Sequence, residues 1–149
     1  MASIAETIRE QMTTAWKAGN TQRRDALRLI LAAFKNAEID LGHALDDAEA
    51  TRILQKEAKQ RRDSITEYEK ASRTDLVAKE EQELVVIEEF LPQQLSDDEL
   101  RTIARAVIDE TGASGPSEVG KVMRPLLERV AGRADGGRVN KIAREILGA

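Results

Sequence analysis

The chain has 149 residues, 41% of them hydrophobic and 34% charged, with three prolines and a formal net charge of −4. This is enough for one domain or two small helical subdomains, and it excludes a disordered chain. With no cysteine and only 3% aromatics, disulfides, thiolate nucleophiles and sulfur-bound zinc are excluded, and the core must be built from Leu, Ile, Val and Ala, which suits helices better than sheets.

The first residues, MASIAETIREQ, carry charges and a capping box (Ser3 with Glu6) where a secretory signal would carry an apolar stretch. A helix is expected from there to Ala18, closed by Gly19. The next begins near Thr21 and sets Leu27, Ile30, Leu31, Phe34 and Leu41 at the spacing of one buried face, with Gly42 as its stop. Leu29 to Phe34, the longest apolar run, is far shorter than the roughly 20 residues that cross a bilayer. A soluble protein of the cytoplasm, without membrane contact, is the expectation.

Asp46 and Glu49 repeat the capping pattern before a long helix reaching about Ala71, whose stripe is Ile53, Leu54, Ala58, Ile65 and Tyr68. A helix from about Thr74 to Phe90 should bury Leu76, Leu84, Val85, Ile87 and Leu91, and Pro92 closes it. A short turn around Ser72 makes this pair an antiparallel hairpin. Ser96 with Glu99 caps a further helix with Leu100, Ile103, Ala104, Val107 and Ile108 inside, ended by Gly112. The remainder is glycine-punctuated. Asp135 can cap a last helix that buries Val139, Ile142 and Ile146 or Leu147, while Pro125 lies either in a first turn or at a helix interior, where it forces a kink or a cost of about 3 kcal/mol. The fold class is all-α and multihelical. Its expected division is an N-terminal hairpin subdomain, 1–92, and a smaller C-terminal subdomain, 93–149.

Several constellations hint at chemistry. GPSEVGKV, residues 115–122, approaches a phosphate-binding loop, but Val122 replaces the magnesium-holding Ser or Thr and a helix precedes it instead of a strand. His43, the single histidine, has Asp40 three residues before it, with Gly42 breaking the helix between them and no second histidine for a metal site. The carboxylate groups Glu80, Glu81 and Glu83, and Glu88 with Glu89, read as solvated helix faces. No catalytic set assembles, and no cofactor or metal is implied.

Charge is divided unequally. Residues 112–149 hold seven Lys or Arg against four acids, and the rest holds 16 against 23, so a polyanion should prefer the C-terminal end. Arg133, Arg138, Lys141 and Arg144 bracket a Gly pair at a helix start, where backbone N–H groups can also receive phosphate. A secondary basic face is set by Lys56, Lys59 and Arg62, while Glu57 and Arg61 form an i, i+4 pair on another face.

LRLILAAFKNAEID (27–40), QKEAKQRRDSI (55–65), EEFLPQQLS (88–96), GKVM (120–123) and GRADGGRVNKIAREIL (132–147) occur in an order that resembles the YqeY-like proteins over essentially the whole chain. The C-terminal half is also similar to the tail domain of the GatB subunit of glutamine-dependent tRNA amidotransferases. The resemblance implies a multihelical fold and a part that holds tRNA while other subunits do the chemistry. The positions matching the tail motif are Gly120, Lys121, Met123, Gly132, Ala134, Val139 and Asn140. Among the residues of this region, Lys121, Arg133, Asn140 and Lys141 are able to touch RNA. The amidotransferase's kinase-like catalytic body has no counterpart here, so a carbon–nitrogen ligase activity with glutamine as nitrogen donor is implied only as a family label. The expectation is a noncatalytic module that binds tRNA or associates with a tRNA amidotransferase or synthetase. The alternative is a protein-interaction scaffold using the long hairpin.

Overall fold

In the computed structural model, which describes residues 2–148, the described residues form seven α-helices and one short 3-10 helix, with no strand. The chain divides into two compact units, Met1–Leu91 and Pro92–Ala149.

The first unit holds α1 (Ile4–Lys17), α2 (Thr21–Leu41), α3 (Asp47–Lys70) and α4 (Thr74–Glu88). The Ser3 box is complete, with Ser3 Oγ accepting from Glu6 N at 3.1 Å and Glu6 Oε2 accepting from Ser3 N at 3.0 Å. The Asp46 cap is only half a box. Asp46 Oδ1 accepts from Glu49 N at 2.7 Å, but Glu49 turns its side chain inward, where Oε2 is buried without a hydrogen bond. Asp47 Oδ1 instead accepts from Ile4 N at 3.0 Å, tying the start of α1 to the start of α3. Leu27, Ile30 and Phe34 of α2 meet Leu54 and Ala58 of α3 and Val86 and Ile87 of α4 in one apolar cluster.

Five expected core positions lie outside it: Ile65, Tyr68 and Leu76 are half-buried beyond the cluster, and Val85 and Leu41 are exposed. Val85 is 62% exposed, because it stands about 200° round the helix from Ile87 and both cannot face inward. Leu41, 51% exposed, continues the spacing of Leu27 and Phe34 but is the last residue of α2.

The second unit is built from α5 (Asp97–Thr111), a 3-10 turn Pro116–Glu118, α6 (Val119–Val130) and α7 (Gly136–Leu147). Ser96 and Glu99 form a complete capping box, and Gly112 ends α5 in the left-handed region at φ 70°. Leu100, Ala104, Val107, Val122, Leu126, Val130, Val139 and Ala143 share the core.

Pro125 lies inside α6, beyond its first turn. It therefore withholds the N–H that would bond the Lys121 carbonyl, at about 3 kcal/mol relative to Ala. The loss of chain stiffness in the unfolded state and of some packing offsets part of this. Pro125→Ala is expected to stabilise the protein by about 1–2 kcal/mol, read as a higher urea midpoint at unchanged slope.

Candidate nucleic-acid interface

The helix α7 begins because Asp135 Oδ1 accepts from Arg138 N at 3.0 Å, and it holds its place because Val139, Ile142, Ala143 and Leu147 are buried. The opposite ridge, at i, i+3, i+4 and i+7, is Gly137, Asn140, Lys141 and Arg144. Lys141 and Arg144 are exposed. Asn140 Oδ1 accepts from Arg144 Nε at 2.8 Å, which orients the guanidinium and leaves its terminal nitrogens for another acceptor. Neither cation makes an ion pair among the described residues, although Lys141 stands near enough to Asp97 to help hold its carboxyl down, and exposed Glu145 follows one turn further along the ridge.

Lys121 sits in the first turn of α6, exposed, with Glu118 Oε2 at 3.7 Å. The residues that looked like a phosphate loop are thus a 3-10 turn running into a helix. Val122, at the position where a magnesium-holding hydroxyl would stand, is completely buried.

Arg133 and Arg138 do something else. Arg133 Nε donates to the Gln93 carbonyl at 3.0 Å. Arg138 donates from Nε to Asp97 Oδ1 at 2.8 Å and from a terminal nitrogen to the Leu95 carbonyl. With Leu95 N donating to the Arg133 carbonyl at 2.8 Å, they clamp the segment leading into α5 against the start of α7. The Arg138 hydrogen bond holds the Asp97 carboxyl below the ordinary carboxylate range. Arg129 grips Glu110 of α5 in the same way, with both terminal nitrogens at 2.9 and 2.6 Å. The second unit as a whole carries nine basic and nine acidic residues, so the excess seen in 112–149 is a local property, balanced by the acids of α5. Spacing could not have shown that Arg138 is taken by Asp97, a partner 41 residues away.

The secondary basic face is dispersed. Lys59 pairs with Asp63 at 2.9 Å and Arg62 with Glu88 at 3.2 Å, while Lys56 is exposed on α3. Arg61 joins its expected partner Glu57 and also Glu83 at 3.1 Å and Glu80 at 3.9 Å, all four side chains being mostly buried. Burial first, and the charge of Glu83 second, push the Glu80 carboxyl above its ordinary value. Glu89 pairs with Arg23 at 2.8 Å. His43 lies in the α2–α3 loop with Nδ1 2.9 Å from its neighbour's carbonyl oxygen at Ala44 and 3.8 Å from Glu49 Oε2. The Ala44 hydrogen bond and then Glu49 raise the His43 pKa. Among the described residues no group of three His, Asp or Glu side chains is placed to hold a metal ion, and no helix is long and apolar enough to cross a membrane.

The family model described as Yqey-like protein matches residues 5–147. A protein of Lachancea thermotolerans named "Altered inheritance of mitochondria protein 41, mitochondrial" is 33% identical over 113 residues, covering 74% of this chain and 60% of its own length. Proteins of the same name from Clavispora lusitaniae and Pyrenophora tritici-repentis are 27% and 28% identical, over 87% and 95% of this chain and 77% and 80% of theirs. The chain thus spans about three fifths of the Lachancea relative. These names overturn the cytoplasmic placement expected from the sequence, since the named relatives are mitochondrial. The physical reason is plain: a chain without cysteine and without a long apolar run reads the same on either side of an organelle membrane.

Proposed function

Since the chain belongs to the YqeY-like family, we propose that it is a noncatalytic helical module that binds tRNA, or assists a tRNA amidotransferase or synthetase, through the outer face of its last helix. The observation that carries this reading is the ridge of Asn140, Lys141 and Arg144, whose two cations face solvent and make no ion pair among the described residues. Contacts of this kind fix an RNA backbone in position and carry no base sequence. Lys121 extends the same chemistry on α6. Arg133 and Arg138, being clamps, support the site's shape and contribute little direct contact. The apolar ridge that α3 and α4 bury only in part, with Val85 62% exposed, favours the second reading, a scaffold for a protein partner.

Labelled tRNA titrated with the full chain between low and physiological salt tests the first reading. The double reversal Lys141→Glu with Arg144→Glu is expected to weaken binding about tenfold or more at low salt. It should also flatten the dependence of log affinity on log salt by about 0.7–0.9 for each phosphate that is no longer neutralised. Lys17→Glu, an exposed cation of α1, should leave both unchanged. Absence of any shift at micromolar protein, or an unaltered salt slope in the double variant, rejects this reading. Recovery of one protein partner through the α3–α4 hairpin would favour the scaffold.

A further inference from the structure

A trough of about 400 Å³ runs between α2 and α3, and its chemistry differs from that of the α7 ridge. Its α2 wall is Leu29, Ala32, Ala33, Asn36, Ala37 and Asp40, and its α3 wall is Ile53, Lys56, Glu57 and Arg61. The α2 positions repeat at three and four residues, so they form one continuous row beside the row of Leu27, Ile30 and Phe34 that fills the core. A helix with two such rows buries one against its own domain and has the second left over.

Along the α2 wall three alanines, Ala32, Ala33 and Ala37, are interleaved with the polar Asn36 and Asp40. Alanine lets another helix approach to the short end of the usual 8–10 Å axial range, while Leu29, 45% exposed, and Ile39, 69% exposed, stand as larger apolar contacts along the row and at its edge.

The rim is cationic. Arg28 and Lys35 lie on the adjacent outer row of α2, with Ala32 and Ile39, and Lys56 stands on the α3 side. All three cations are exposed and none has an ion pair among the described residues. Of the acids that line the trough, Glu57 is taken by Arg61 and Asp40 has no ion pair, while Asp25, on the row of Arg28, is taken by Arg24. Elsewhere on the same unit the cations Arg23, Arg24, Lys59 and Arg62 each have a carboxylate within 3.2 Å. The unit as a whole is acidic, with 14 basic and 18 acidic residues, so its general field does not account for a positive rim.

We propose that this trough is a docking site for an acidic amphipathic helix of a protein partner, its small apolar face laid on the α2 alanines and its flanking carboxylates meeting Arg28, Lys35 and Lys56. A nucleic acid would find the phosphate-binding cations here but no use for the alanines, and a second copy of α2 would bring Arg28 and Lys35 against their own kind. Helix-in-groove recognition of this type is read through anchors at i, i+3, i+4 and i+7.

The probe is a fluorescein-labelled synthetic helix of about 15 residues with Leu and Ala at those anchor positions and Glu on both flanks. Its controls are the same composition scrambled and the same pattern with Lys in place of Glu. Fluorescence anisotropy with the full chain is expected to show the acidic amphipathic peptide binding about tenfold or more tightly than either control. Ala32→Trp fills the trough from an exposed position, and Lys35→Glu with Lys56→Glu inverts the rim. Each change is expected to weaken the peptide about tenfold while leaving the circular dichroism spectrum and tRNA binding as they were. Equal binding of the scrambled peptide, or indifference to Ala32→Trp, overturns the proposal. So does self-association of the chain that Ala32→Trp abolishes, which would make the occupant a second copy. Loss of tRNA affinity in the rim variant without any peptide binding would make the surface an RNA contact. Because the Lys141 and Arg144 reversal is measured separately, the two readings fail independently.

Discussion

Phe34→Ala is expected to cost about 3–5 kcal/mol of folding stability, the range for truncating a fully buried Phe. Phe34 is 2% exposed and lies in the cluster with Leu27, Ile30, Leu54, Ala58 and Ile87. Aromatics are only 3% of the chain, and the other ring packed against this cluster, Phe90, is only partly buried at its edge. The aliphatic neighbours belong to three different helices held at fixed separations by their caps and turns, so collapse into the cavity is limited. A large fall in the urea midpoint at nearly constant slope, followed by far-ultraviolet circular dichroism, is the expected result. A loss below about 1 kcal/mol would mean that the α2, α3 and α4 interface repacks freely.

Arg61→Ala is expected to come next, and its effect should depend on pH. Arg61 is the one cation among Glu57, Glu80 and Glu83, with all four side chains between 13% and 18% exposed. Its removal leaves three carboxylates close together with little water around them. Breaking a fully buried pair from one side costs about 3–5 kcal/mol, and the residual exposure here brings the figure to about 2–3 kcal/mol near pH 7. Glu80 is already raised above its ordinary value by burial and by Glu83, and Arg61 is the largest influence holding it down. A carboxyl with a raised folded pKa binds more protons folded than unfolded. Stability is therefore greatest below the unfolded value, about 4.3, and falls as pH rises through the folded value. Without Arg61 that fall should be steeper and should extend to higher pH, so the deficit of the variant shrinks on acidification towards pH 5. Denaturation curves for both proteins across that interval check the sign, and a deficit that grows on acidification would contradict it.

The two arginines Arg61 and Arg138 show why part of this protein was legible in its sequence and part was not. Ser3 with Glu6, Ser96 with Glu99 and Asp135 ahead of α7 are contacts across three residues, and local chemistry alone decides them. The same rule applied to Asp46 and Glu49 predicts a box that is half absent, because tertiary packing draws the Glu49 side chain inward. Arg61 and Glu83 are separated by 22 residues and Arg138 and Asp97 by 41, and no periodicity reports such partners. Lys141 and Arg144 could be placed on the outer face from the apolar spacing of Val139, Ile142, Ala143 and Leu147. That Arg133 and Arg138 are drawn into clamps depends on how the chain entering α5 returns to the start of α7. Val85 fails for a simpler reason: an apolar residue among apolar neighbours reads as core until the helix phase is known.

That return of the chain makes a clock of one amide. Leu95 belongs to no helix, and on secondary structure alone its N–H would trade its proton for solvent deuterium within seconds. The residue is 4% exposed and its N–H is locked to the Arg133 carbonyl, inside the bracket that Arg138 closes from the other side. Opening it requires the segment that enters α5 to come away from the turn between α6 and α7, against the Arg133 and Arg138 clamps. Leu95 should therefore exchange far more slowly than the amides of Gln93 and Gln94 beside it. Its rate then measures how often the clamped segment comes away.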